Sequence, residues 1–466
     1  MAGGLMQLVA YGAQDVYLTG NPKVTFFQAV YKRHTNFAME NIQQTVNGSA
    51  ASNGRVSVTV ARNGDLIGEM YIDLQSNVCN TFSGGSLTAQ DSCWLAERCI
   101  SDIELSIGGQ RIDKHYQRWW RLYSELYLDE SKKANYARLT CNSTGELYAS
   151  GGNSGANAGQ VMLPLLFFFN RNPGLYLPLI ALQYHEVRLD FDLSSEYTVC
   201  FNPTFNVWGN YVYLDTEERR RFAQKGHEYL IEQVQHTGTD SLNVSGTSVN
   251  NAGAQIRLSY NHPVKELIWC VTNAAAFLGK QLWDLTSNAS SIGCVTLSTY
   301  TSNVGTFGTV SNVFAVPMGF AGCPLIVSGP GKCVMIEGGN PTTTSGIAAN
   351  IQSVGPLASF RLILNGQDRM KDQSGKYYNQ MEPYWHHSGN PYPGVYCYSF
   401  ALKPEEHQPT GTCNFSRIDN AQVDVRIKAG ILTSGATGAA NTLEMYAVNY
   451  NVLRIQSGMG GLAFSN

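Results

Sequence analysis

The sequence predicts an all-β chain made of two tandem sandwiches of jelly-roll type, with short helices confined to loops and a linker. Three observations carry that expectation. Short runs of alternating apolar and polar residues recur between Gly- and Asn-rich turns, and the composition, with 46 Gly, 25 Tyr and 19 Phe in 466 residues, is that of a turn-rich β protein. The same order of strands comes twice, before and after one capped helical segment. A chain of 466 residues is also too long for one ordinary core and suits two domains of about 200 residues.

Residues 1–27 carry Leu, Val, Tyr and Phe without a steady period and are broken by Gly12, Gly20 and Pro22. They read as an N-terminal arm that either straps its own domain or orders against neighbouring subunits. The first domain is expected over 28–213. In it Ile42–Val46 is a strand ending at Asn47-Gly48, and Arg55–Val60 alternates cleanly before Asn63-Gly64, a hairpin dipeptide. Ile103–Ile107 runs into Gly108-Gly109, Lys114–Tyr127 is a helical stretch, 148–160 is a Gly, Ser and Asn loop, and Val187–Phe191 and Val207–Leu214 are further strands.

The linker, 214–226, reads as a short capped helix. Asp215 stands at the N-cap and Glu218 completes an Asp variant of the capping box. Asp215–Arg219 and Glu217–Arg221 are spaced as i,i+4 ion pairs, and Gly226 is placed as a left-handed stop. Its acids nearly balance its bases, which favours a solvated connector over a phosphate-binding patch.

After the linker the strands return over 227–466. Ile231–Gly238 echoes Ile42–Gly48, Ile256–Asn261 with Leu267-Ile-Trp echoes Val58–Asn63 with Met70-Tyr-Ile, Arg361–Gln367 echoes Glu104–Gln110, and Tyr450–Leu453 echoes Tyr211–Leu214. Order is kept while spacing changes: Asn63 to Asn261 is 198 residues, Gly109 to Gly366 is 257. Two copies of one β-domain with different loop lengths give this pattern, and a solenoid does not. The jump places an insertion at about 273–353, between the fourth and fifth strands of the second copy. Eight or so strands per copy suit a jelly roll better than an immunoglobulin sandwich of about 100 residues.

Composition excludes several roles. Only 14% of residues are charged, the net charge is −3, and no Lys/Arg tail is present to neutralise a nucleic-acid backbone. The 11 cysteines are scattered and nowhere spaced Cys-x-x-Cys, which points to free, buried thiols. Met1–Tyr11 lacks the features of a signal peptide, Ala2 excludes myristoylation, and the most apolar run, Val161–Phe169, is too short to span a bilayer.

A duplicated jelly roll invites comparison with a cupin-type or carbohydrate-binding protein, in which His and Glu on facing strands hold a metal. The histidines do not fit. His386 and His387 are adjacent in an irregular Tyr-Trp-His-His-Ser-Gly-Asn-Pro segment, where strand neighbours face opposite ways. The other seven are isolated, and Glu405-Glu406 lies in a Pro-flanked loop, a poor place to hold carboxylates at fixed separation. No catalytic constellation, cofactor motif or P-loop emerges. Of five Asn-x-Ser/Thr sequons, Asn288 alone falls in the insertion and is the best candidate for a sugar.

Specific stretches resemble the major capsid proteins of the nucleocytoplasmic large DNA viruses. They are Gly-Gly-Leu-Met-Gln-Leu-Val-Ala-Tyr-Gly-Ala-Gln-Asp-Val-Tyr-Leu-Thr-Gly-Asn-Pro (3–22), Leu-Asp-Thr-Glu-Glu-Arg-Arg-Arg-Phe-Ala (214–223) and the final 449–466. Gly-Gly-Gln-Arg-Ile-Asp-Lys-His-Tyr (108–116), 178–187 and 411–420 look closest to the algal, chlorovirus-like branch. The resemblance implies a non-enzymatic double jelly roll, two tandem eight-stranded sandwiches, without a cofactor. It further implies homotrimeric capsomers of pseudo-hexagonal outline, tiling an icosahedral shell over minor capsid proteins. That shell would enclose an inner membrane near the protein but not spanned by it, and a double-stranded DNA genome it does not touch. Assembly in the host cytoplasm, and outer-loop glycosylation often outside the usual sequon, belong to the same expectation.

Overall fold

The computed structural model describes residues 34–76, 94–140, 160–242, 253–272, 293–296, 333–336, 355–389, 394–427 and 441–464, with a few isolated positions besides. Most of the arm at 1–27, nearly all of the insertion, and Asn288 lie outside the described residues.

The first sandwich sets one antiparallel sheet against another. Its first sheet has β1 (Phe37–Gln43), β10 (Phe201–Leu214), β4 (Leu66–Ser76) and β7 (Gln160–Pro164) in that order, with β8 (Leu177–Pro178) on β4. Its second sheet runs β2 (Val46–Gly48), β3 (Arg55–Thr59), β9 (Val187–Leu193), β5 (Ile100–Ile107), β6 (Gln110–Tyr116). Alternation makes the core: Val56 and Val58 of β3 and Leu189 and Phe191 of β9 meet Ile67, Ile72 and Leu74 of β4, all essentially without solvent exposure.

The second sandwich repeats this order. β11 (His227–Leu242), β22 (Asn441–Gln456), β13 (Pro263–Thr272) and β19 (Val395–Ser399) form one sheet, joined by β20 (Cys413–Asn414) on β13 and β23 (Met459–Leu462) on β22. β12 (Gly253–Leu258), β21 (Ala421–Ile427), β16 (Leu357–Leu364) and β17 (Gln367–Asp368) form the other, with β18 (Gln373–Ser374) on β16. The four sequence echoes fall on strands in equivalent places: β1 with β11, β3–β4 with β12–β13, β5 with β16, β10 with β22. Even the turns match, since Gly108-Gly109 and Asn365-Gly366 both carry positive φ at two successive residues and close equivalent hairpins.

Local expectations fail where the chain changes sheets. Ile42–Val46 is not one strand: β1 ends at Gln43, and Gln44 turns its buried side chain to the Tyr211 hydroxyl (2.8 Å) before β2 starts in the facing sheet. Asn63-Gly64 is not a hairpin turn, because β3 and β4 belong to different sheets and neither residue has positive φ. Gly64 is there for close approach: a Cβ would meet that of Tyr211 at 2.9 Å. The helix expected from Lys114 begins only at Gln117, since Lys114–Tyr116 complete β6 opposite β5. The long connection holding β14 (Gly293–Thr296) and β15 (Cys333–Ile336) follows β13, the third strand of its sandwich, because β11 runs unbroken where the first copy has β1 and β2.

Candidate assembly core at the seam between the sandwiches

β13 reads as a near-continuous buried run because its sheet is covered on both faces. Leu267, Trp269 and Val271 point into the second sandwich, and Ile268 and Cys270 point out of it into the core cluster of the first. Ile231, Tyr446, Val448, Leu453 and Ile455 join them there. The two sandwiches are therefore fused through shared apolar core.

The element that fills the seam is α1 (Gln117–Tyr127), which follows β6 directly and buries eight of its eleven residues, Trp119 and Trp120 among them. Two of its polar side chains reach across the boundary. Arg118 Nε lies 2.9 Å from Glu444, and the Tyr127 hydroxyl donates to Glu266 at 2.5 Å. Beside it Glu232 of β11 takes Lys265 at 2.6 Å and Arg171 at 3.0 Å, the latter from the short helix α3 (Phe168–Arg171); α2 (Glu130–Leu139) lies between in sequence. Asp113 accepts the Val234 amide at 3.1 Å and pairs with His115 at 3.0 Å, and His115 stacks on Phe167.

Burial alone would raise the Glu232 carboxyl, but Arg171 and Lys265 outweigh it and hold it well below the usual range. Burial lowers the Lys265 ammonium despite Glu232, and burial with the Glu266 charge pushes the Tyr127 phenol far up. Burial opposes protonation of His387, yet Glu266 draws it well above the ordinary histidine value. Charges so enclosed cost much if a partner is lost, so the network ties the two sandwiches in one relative position.

The linker is organised differently from its sequence expectation. The helix α4 (Thr216–Gln224) buries none of its residues. Asp215 caps it, accepting the Thr216 amide at 2.8 Å. Glu218 does not close a capping box: its Oε2 has no hydrogen-bond partner among the described residues. Arg219 turns from Asp215 to the buried Asp65 at 2.9 Å, and Glu217 pairs with Arg220 in place of Arg221. Gly226 is not a left-handed stop. Lys225 already leaves the helix with extended backbone (φ −85°, ψ 137°), and β11 starts one residue after Gly226, so a chain reversal has no place there.

His386 and His387 are not strand neighbours: His386 ends a short helix, α5 (Glu382–His386), and His387 follows as its extended C-cap, turned inward to hydrogen-bond Glu266. Glu405, in the loop that looked too irregular to position a carboxylate, accepts the Ser388 amide at 2.7 Å and hydroxyl at 3.0 Å. The only sequence signal for the seam was Trp119-Trp120 with flanking arginines inside a helical stretch. The described cysteines 99, 200, 270, 397 and 413 are free thiols, all but Cys413 buried.

Tandem sandwiches of this strand order, fused through a shared core, define a double jelly-roll protein of the class that builds viral shells. A family model described as large eukaryotic DNA virus major capsid protein matches residues 218–461, and one described as major capsid protein N-terminus matches 25–215. The chain belongs to the family of large eukaryotic DNA virus major capsid proteins. It is 43% identical to the major capsid protein of Paramecium bursaria Chlorella virus 1 and 38% identical to that of Phaeocystis pouchetii virus, over 100% of both chains in each case. A quasi-atomic model of the PBCV-1 virus capsid superposes with TM-score 0.68 at 37% identity, covering 95% of this chain and 100% of that one. The Faustovirus major capsid protein, at 13% identity and TM-score 0.62 over 97% and 96% of the chains, shares the fold. This is a structural component of a virion capsid.

Proposed function

We propose that three copies of the chain close into a capsomer with six similar sandwiches around its rim, and that such capsomers tile the shell. The observation that carries this reading is the fusion of two equivalent sandwiches through a seam of shared apolar core and buried ion pairs, which lets a threefold ring present six nearly equal edges. The units are the arm at 1–27, the first jelly roll at 28–213, the linker at 214–226 and the second jelly roll at 227–466 with its insertion at about 273–353. The role is architectural and not catalytic. The arm orders against the capsomer base or minor capsid proteins, with the genome untouched and an inner membrane near but not spanned. Assembly takes place in the host cytoplasm, and Asn288 is the first place to look for a sugar.

Light scattering on the purified protein tests the ring: a stable species near three times 51.1 kDa is expected, and a monomer at assembly concentrations sinks it. Trimers and shells that form normally without residues 2–20 would remove the arm's role. Peptide mass spectrometry of virion protein decides Asn288.

A further inference from the structure

Where β13 and β19 lie side by side, three side chains of the second sandwich turn to one point. Glu266 stands on β13, Cys397 on β19 paired in register with Ile268, and His387 at the end of α5. The Glu266 and His387 side chains are 0% exposed and Cys397 is 1% exposed. A carboxylate oxygen, an imidazole nitrogen and the thiol sulfur all lie within 4.8 Å of one another. These groups are oriented from behind. The other Glu266 oxygen accepts the Tyr127 hydroxyl of the first sandwich, and His387 Nδ1 faces the Glu405 carboxylate at 3.4 Å. Glu405 is in turn fixed by Ser388.

The geometry points to a buried site for one divalent ion of the zinc class, held by Glu266, His387 and Cys397, with Glu405 as the positioning residue for the imidazole. Carboxylate, imidazole and thiolate are the borderline-soft donor set that zinc prefers. The Glu405 carboxylate, 3.4 Å from Nδ1, favours the proton on that nitrogen and so the tautomer that turns Nε2 to the metal. Binding sends the Cys397 thiol proton, and any proton on Nε2, to solvent. A doubly charged ion with one carboxylate and one thiolate leaves the buried cluster neutral, as burial demands. The ion competes with the Glu266–His387 hydrogen bond for the same lone pairs, and the partly exposed Glu405 marks its way in. Through Tyr127 the site clips α5, β13 and β19 to α1, so occupancy tightens the seam.

The test uses the full-length protein in its native assembly. Expected are about one zinc per chain by elemental analysis, a thermal midpoint that falls with a chelator and recovers with zinc, and a saturable thiolate-to-cobalt charge-transfer band on titration with Co²⁺. Cys397→Ser abolishes that band, and Glu405→Gln weakens zinc binding by about 10–100-fold. Background metal content with no cobalt band and a midpoint indifferent to zinc leaves a proton as the only occupant and overturns the site. A band that survives in Cys397→Ser puts the ion elsewhere and overturns it equally. Should that variant fail to fold, the wild-type metal content and band, with His387→Gln as second variant, still decide.

Discussion

Glu232 concentrates the energetics of the seam in one side chain. Replacing it with Leu leaves Lys265 and Arg171 facing each other without the carboxylate they share, and a loss of about 3–5 kcal/mol in chemical denaturation is expected. Its carboxyl is held well below the ordinary glutamate value of 4.5 by Arg171 and Lys265, so the stability it contributes is complete above that pH. That stability is lost as pH falls below 4.5 toward the depressed folded value. Glu232→Gln should therefore flatten the acid limb of the stability–pH curve; an unchanged limb would assign acid sensitivity to other carboxylates. Gly64 makes the opposite kind of demand, for the lack of an atom. Gly64→Ala should cost about 1–3 kcal/mol through overpacking on Tyr211, read as a shift in the denaturation midpoint. The sequence marked Gly64 but assigned it to a turn, because a glycine needed for approach and one needed for positive φ look alike in the text.

Two helices divide the work that the sequence assigned to one. The linker α4 announces itself through its cap and charges, which are local signals, yet it lies on the surface with Arg219 tied to Asp65. Asp215→Ala should cost about 0.5–2 kcal/mol as a lost N-cap, whereas Gly226→Ala should be close to neutral in thermal melts, since its backbone is not left-handed. If replacing both together leaves trimer yield and melting unchanged, the angle between the sandwiches is set by the seam alone. α1 has no cap and a mixed composition, so its text gave only a helical stretch with misplaced start. Its importance comes from Trp119 and Trp120, both buried: Trp119 packs on Tyr446 of β22, across the seam, and Trp120 Nε1 donates to the Pro164 carbonyl of β7 at 2.9 Å. Trp120→Ala should cost about 3–5 kcal/mol and lower capsomer yield.

At the scale of the whole molecule the shared core makes the two jelly rolls one body. Cutting the chain inside α4, through an introduced protease site, should leave the halves together in native gel filtration and separable only in denaturant. Halves that part on cutting would mean that covalent linkage, and not the seam, holds them. The sequence by itself determined most of the strands, their duplicated order and the capped linker, because alternation and capping are fixed within a few residues. It put its hairpin at Asn63-Gly64, where the chain instead changes sheets. Only the tertiary structure decided that one sheet is buried on both faces, that Tyr127 meets Glu266 across 139 residues and Asp113 meets Val234 across 121, and that His387 turns inward beside Cys397. The reason is that a buried charge is tolerable only with its partner in place, and no local pattern names a partner so distant along the chain.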